Sequence, residues 1–415
     1  MKIGIYGAGV FGKRCFQFLT SIGTTIDFFC QTNIDEKMFL YGIPILDFKE
    51  LSEVREDKII FLAIKNEAIS EEIRKRIEEK IDNVINIYNY CDIIRESDLL
   101  YGGTEFEIKI MHNYWKTYLE NPSYMKAKRD KLCRGLSEKD IDIINRIINR
   151  MKSFVIEQSM CCDIFSIEEK KQIRNMEKSM LETLECDVQE RRSVYSYKNY
   201  KLYEKNFEPC LFYYQMGLKQ VKKLKHIYGK NIIDVGAYIG DSSIILSDFT
   251  NKNVYAFEPF CDNCKKIYKT AELNKKSNII PVNLALGEDT SKREFYLRND
   301  NNTGHGMIKR ENLDYKEKIE VNQITLDEYV DSENIEIGLI KVDIEGAERN
   351  FLKGAKKTIC EQKPILLISI YHSAEDFFEI KTMIEELKAG YSFRIFHPVT
   401  RNSFLLETAL ICEIQ

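Results

Sequence analysis

The chain opens on short apolar runs that alternate with longer amphipathic ones. Lys2 to Tyr6, Thr25 to Cys30, Lys58 to Ile64 and Asn83 to Tyr88 read as strands, with helices at Phe11 to Leu19 and Ala68 to Lys80. Strands alternating with helices imply βαβ units and a parallel sheet. From about Gly103 to Tyr203 the apolar spacing becomes three and four, as in Ile141, Ile144, Ile147, Ile148 and Met151, which is a helix period. No proline stands between Pro122 and Pro209, so this stretch reads as a helical connector, with the single tryptophan, Trp115, expected to pack between the flanking domains. The strand and helix alternation restarts at Asn231, through Asn253 to Phe257, Asn278 to Asn283 and Ile337 to Val342. It closes on Ser392 to Phe396 and Ser403 to Ile414, expected as two antiparallel strands joined through Pro398 and Asn402. The fold class is therefore α/β, with a smaller Rossmann-like parallel sheet in 1–100, a helical connector in 101–205 and a second sheet domain in 206–415.

Length and composition narrow this picture. A chain of 415 residues exceeds one ordinary core, and 44% hydrophobic with 30% charged residues is a globular composition. No run approaches the roughly 18 apolar residues of a membrane span. Met1 to Tyr6 lack the features of a signal peptide, which makes the cytoplasm the expected location, with the twelve cysteines read as reduced thiols. A net charge of −4 supplies no general attraction for nucleic acid, so Lys219 to Lys225 read as a solvated helix face.

Two glycine turns carry candidate chemistry. Gly7, Gly9 and Gly12 follow the first strand with G-x-G-x-x-G spacing, which suits a phosphate at a helix N-terminus. The acidic residue expected at the end of the second strand is missing, since that strand ends in Cys30 and Gln31, and a dinucleotide oxidoreductase is disfavoured. Two readings stay open: a bound nucleotide or nucleotide-sugar, or glycines that only make the turn. With Gly42-Ile43-Pro44-Ile45-Leu46, this part resembles small Rossmann-like domains at the front of bacterial sugar-modifying proteins, a likeness of fold.

The second turn is Asp234-Val235-Gly236-Ala237-Tyr238-Ile239-Gly240, and about 18 residues after Gly240 an apolar strand ends in Glu258-Pro259. This D-x-G-x-x-x-G pattern resembles the first motif of class I methyltransferases. The resemblance implies S-adenosylmethionine as cofactor, with Asp234 anchoring its ammonium through solvent or backbone, the Gly236, Ala237, Tyr238 and Gly240 backbone along its amino-acid part, Glu258 on its ribose, and Asn283 and Ala285 by its adenine.

Lys341-Val342-Asp343-Ile344-Glu345-Gly346-Ala347-Glu348, with Thr325-Leu326-Asp327 and Ile368-Ser369-Ile370-Tyr371-His372, resembles the signature of the FkbM family of methyltransferases over about Glu208 to Gln415. That likeness implies a seven-stranded Rossmann-like sheet and methyl transfer to a hydroxyl, commonly on sugars or natural products. Ser369 departs from the Glu the family often has there.

Asp343, Glu345 and His372 are the candidate catalytic residues. His372 is the favoured base, with Asp343 positioning the acceptor or orienting the imidazole, and the reverse assignment stays open. Glu345 and Glu348 have a second reading as caps of the helix after Gly346. The polar stretch Asn299 to Gly306 reads as a loop over the crevice, with His305 as second-choice base. Asp327, Asp343 and Glu345 are a conceivable Mg²⁺ set, and Cys261 with Cys264 lack a partner pair for zinc. No metal is assigned. The expected partner is a small-molecule or saccharide acceptor, not nucleic acid, and the oligomeric state is open. The competing function is a non-catalytic nucleotide-sugar-binding or scaffold protein with a degenerate methyltransferase domain.

Overall fold

The computed structural model describes residues 1–21, 24–34, 36–64, 66–89, 115–155, 166–189, 192–204, 207–298, 305–309, 315–400, 405 and 407–414. Asn299 to Gly304, the first part of the expected crevice loop, lie outside the described residues, as do Asn402 in the expected last turn and Gly103 to Tyr114 at the start of the expected connector. The chain divides into two compact units, Met1–Gly102 with Lys152–Lys171, and Gly103–Met151 with Gln172–Gln415.

The first unit holds a six-stranded sheet built from β1 (Lys2–Tyr6), β2 (Phe28–Gln31), β3 (Met38–Leu40), β4 (Ile43–Asp47), β5 (Lys58–Leu62) and β6 (Val84–Asn89). Its order is β3-β4-β2-β1-β5-β6, and every pairing is parallel except that of β3 with β4. Alternate side chains leave opposite faces of a strand, so Ile5 and Phe29 pack with Cys15 and Leu19, while Tyr6 and Leu62 pack with Ile73 and Ile77. Asn66 accepts from the Ile69 amide at 3.2 Å and starts the helix Glu67–Lys80.

In the helical stretch, Ile144, Ile147, Ile148 and Met151 are buried along one face of the helix Glu138–Val155, as their spacing predicts. One expectation changes. Leu184–Gln189 (β7), Arg192–Tyr197 (β8) and Tyr200–Leu202 (β9) form an antiparallel meander, because alternating side chains with Val194, Tyr195 and Tyr197 favour strands over helix. The ring of Trp115 lies 5.1 Å from Phe377 and 5.5 Å from Phe378, within the second unit.

The second unit centres on β10 (Asn231–Val235), β11 (Val254–Phe257) and β12 (Ile279–Val282). After a small sheet of β13 (Ala285–Leu286), β14 (Ser291–Arg298) and β15 (Tyr315–Ile324) come β16 (Ile337–Val342), β17 (Ile365–Ser369), β18 (Tyr391–Phe396) and β19 (Ala409–Ile414). The main sheet has seven strands in the order β12-β11-β10-β16-β17-β19-β18. Only β19 runs antiparallel to its neighbours, β17 and β18. The central strands read as continuous apolar runs because helices cover both faces, and β16 is buried at all six positions. Strand order turns back between β10 and β16, and at such a switch point ligands bind beyond the carboxyl ends of the strands. Among the described residues, no helix is long and apolar enough to cross a membrane.

Candidate active site

A cleft opens at this switch point, lined by Gly236 and Tyr238 after β10, Glu258 after β11, and Asp343 and Glu345 after β16. Ala285, Leu286 and Phe295 form an apolar wall on one side, and Glu208, Tyr371 and Glu407 complete another.

The turn after β10 is fixed by close packing. A Cβ on Gly236, whose φ is +80°, would stand 2.0 Å from the Asp343 carbonyl oxygen, so only glycine lets β10 and β16 release their chains side by side. Tyr238, also at positive φ (48°), donates its amide to Glu258 Oε2 at 3.1 Å, and the Phe260 amide reaches Oε1 at 2.9 Å. Burial pushes the Glu258 carboxyl up to about 7, against these amide bonds, which pull it down.

Asp234 stands beneath the turn. It is fully buried and is not part of the cleft lining. Its Oδ2 accepts from the hydroxyls of Ser242 at 2.7 Å and Ser243 at 2.6 Å. Lys341 Nζ lies 3.1 Å from Oδ1, an ion pair outside hydrogen-bond alignment, and donates to the Gly236 carbonyl at 2.9 Å. Burial disfavours the Lys341 charge, but Asp234, Asp343 and Asp241 outweigh it and hold the ammonium above its ordinary range. Asp241, on the lining, is pushed up to about 6, chiefly by burial.

The other cofactor candidates divide in the same way. Gly236, Tyr238, Glu258 and Ala285 reach the cleft, whereas Ala237 and Gly240 stand behind it. The Gly240 amide bonds the Ala237 carbonyl at 2.7 Å, which closes the turn. Asn283 spends its amide on the carbonyls of Glu258 and Pro259, at 3.0 and 2.9 Å, and so ties β12 to the end of β11.

The three catalytic candidates do come together. His372 Nε2 stands 3.4 Å from Asp343 Oδ1 and 3.8 Å from Glu345 Oε2, and Nδ1 stands 3.0 Å from Glu348 Oε1. Their exposures differ: the side chains of Asp343 and Glu345 are 28% exposed and that of His372 is 2%. The imidazole therefore sits behind the carboxylates and not on the cleft surface. Burial lowers its proton affinity, yet Glu348, Glu345 and Asp343 raise it to about 9. Burial also raises the Asp343 carboxyl, while the His372 charge holds Glu348 below its ordinary range despite burial. Glu348 binds the Ile344 amide at 2.8 Å, so it braces the turn after β16 and does not cap the following helix with its side chain.

Tyr371 donates toward Asp343 at 3.2 Å and Glu407 at 3.4 Å, and burial pushes the Glu407 carboxyl up to about 7. Sequence reasoning missed Glu407, Glu208, Asp241 and Lys341 as cleft residues; Lys341 stands in the quoted signature, but a lysine inside an apolar strand there was not read as a site residue. His305 lines the cleft, and its Nδ1 accepts the Arg298 amide at 3.0 Å. Asp327 does not join Asp343 and Glu345, because its carboxylate accepts from the first turn of the helix Lys356–Gln362, through the amides of Lys357 and Thr358 at 3.0 and 2.8 Å.

In the first unit, Gly12 has a packing reason to be glycine, since its Cβ would stand 1.7 Å from the Gly7 carbonyl. Gly9 has open space around it.

A seven-stranded sheet with one reversed strand, a glycine turn after β10 and an acid after β11 define a methyltransferase-like domain. Residues 234–393 match the family model described as Methyltransferase FkbM domain. The chain is similar to the crystal structure of Methyltransferase FkbM from Methylobacillus flagellatus KT, at 16% identity and a TM-score of 0.47, over 99% of this chain and 89% of that one. It is also similar to an rRNA methylase from Streptococcus thermophilus, at 14% identity and a TM-score of 0.29, over 51% of this chain and 100% of that one. No curated protein matches the chain.

Proposed function

We propose that the C-terminal half transfers a methyl group from S-adenosylmethionine to a hydroxyl of a sugar, glycan precursor or related metabolite. The observation that carries this reading is that Glu258 and Asp343, at the ends of β11 and β16, open onto one cleft on either side of the Gly236 turn. Both glycine and carboxylates suit the cofactor. Gly236 and Tyr238 present backbone to its amino-acid part, and Glu258 is an acceptor for the ribose hydroxyls. Among the described lining residues Glu208, Asp241, Glu258, Asp343, Glu345 and Glu407 outnumber the ammonium of Lys341, which favours a cationic sulfonium over a neutral thioether.

Transfer is an in-line displacement: the acceptor oxygen bonds the methyl carbon, the carbon–sulfur bond breaks with its electron pair going to sulfur, and the hydroxyl proton leaves. Alignment supplies most of the acceleration, and a base contributes about 10²–10⁴-fold. Asp343 is the better placed base, because its carboxylate reaches the cleft and the His372 ring lies behind it. His372 then acts as a positioning residue.

The test is calorimetric titration with S-adenosylhomocysteine, on the wild type and Glu258→Ala, followed by transfer of a labelled methyl group to a panel of saccharides. Micromolar binding weakened tenfold by the substitution, about 1.4 kcal/mol, supports the cofactor reading. No binding to the wild type refutes it, and labelling of no hydroxyl acceptor refutes the saccharide class.

A further inference from the structure

We propose that a divalent metal ion binds where Asp343, Glu348 and His372 converge at the floor of the cleft.

One ligand atom from each of these residues lies within 4.8 Å of the others. Three atoms in the cluster are buried and lack an aligned hydrogen-bond partner among the described residues: Glu348 Oε2, on a wholly buried side chain, and both ring nitrogens of His372. A buried carboxylate oxygen without a partner is costly, and so is an imidazole nitrogen whose nearest polar neighbours are carboxylate oxygens at 3.4 and 3.8 Å. Those separations exceed the roughly 2.7–2.9 Å of a charge-assisted N–H···O bond. They are closer to the spacing of two ligands around one ion, which at metal–ligand bonds of about 2.0–2.2 Å stand roughly 3.0–3.5 Å apart.

The surroundings also resemble a metal site in their outer contacts. The Ile344 amide fixes Glu348, and Tyr371 donates to Asp343. Asp343 reaches the cleft, which gives an ion a way in. One imidazole and carboxylate oxygens favour a first-row ion such as Mn²⁺ or Zn²⁺ over Ca²⁺. The site stands on this geometry alone. Its chemical use rests on the methyl-transfer reading, where the ion would hold Asp343 ionised and in place through one carboxylate oxygen.

The experiment uses the full chain, freed of metal with a chelator and then titrated with MnCl₂ and separately with ZnCl₂ by calorimetry, with electron paramagnetic resonance counting free Mn²⁺. One saturable site is expected, weakened tenfold or more by Glu348→Gln and by Asp343→Asn, with a metal-dependent rise in melting temperature that both variants lose. Glu348 is buried, so its variant can lose the fold. Asp343 stands at the cleft edge, and circular dichroism of Asp343→Asn keeps the test open. Absence of saturable binding to the wild type overturns the proposal and leaves a proton on His372 to compensate the carboxylates. Binding that neither variant weakens also overturns it. S-adenosylhomocysteine titrated into the metal-free wild type separates this outcome from failure of the methyltransferase reading.

Discussion

Lys341 and Asp234 form a buried ion pair, 3.1 Å apart, that joins the two central strands β16 and β10 just beneath the glycine turn. Because Lys341 also donates to the Gly236 carbonyl, the pair sets the height of the turn that faces the cleft.

Breaking that pair leaves a charge buried without compensation, which costs about 3–5 kcal/mol. Lys341→Met is expected to lower the urea midpoint accordingly, and Lys341→Met with Asp234→Asn to recover part of the loss. A double-variant loss equal to the sum of the losses in Lys341→Met and Asp234→Asn alone would show that the two residues are not coupled.

Gly236→Ala places a methyl group against the Asp343 carbonyl at a φ of +80°. Strain of about 1–3 kcal/mol is expected on the backbone alone, and more from the clash. The variant should lose S-adenosylhomocysteine binding before it loses its circular dichroism. Unchanged affinity would separate the turn from the ligand site.

Glu258 gives a pH dependence whose direction follows from burial. Its carboxyl is raised from 4.5 to about 7, so between those values the native group holds a proton that its unfolded counterpart has lost. Stability contributed by this group therefore falls as pH rises from about 4.5 to 7. A ribose hydroxyl donates to the ionised form, so affinity for S-adenosylhomocysteine should rise over the upper part of the same window. Glu258→Gln is expected to flatten that rise, measured by calorimetry between pH 5.5 and 8.5, as on the order of one pH unit either side of the transition suffices.

The first unit offers a contrast between two glycines of one motif. Gly12→Ala drives a methyl group into the Gly7 carbonyl and should lower the stability of this unit, whereas Gly9→Ala meets nothing within 4 Å and should leave melting unchanged. Protease resistance of the N-terminal segment reads both. A nucleotide that protects the wild type but not Gly9→Ala would point to a ligand approaching that open position.

Most of the architecture was legible because period and position carried it. The apolar runs of β10, β11 and β16 and the acids that end them follow from burial on both sheet faces, and His372, Asp343 and Glu345 converge because strand ends of one sheet converge. The β7 to β9 meander was not legible: its residues also fit helices, and cross-strand pairing decided. The surroundings of Asp234 are not legible, because spacing shows that an acid ends a strand but not that Ser242 and Ser243 bond one of its oxygens while Lys341 stands beside the other. Glu407 was missed because it enters from the far end of the chain, in a segment with no motif, and only the reversal of β19 brings it beside Tyr371.

The place of Trp115 gives the chain a built-in optical probe. It is the only tryptophan, and it rests on Phe377 and Phe378 in the helix Ala374–Glu386, which begins two residues after His372. Its emission therefore reports on packing against that helix. Quenching or a red shift during denaturation dates the loosening of that helix, while the tryptophan-free N-terminal sheet unfolds unseen at this wavelength.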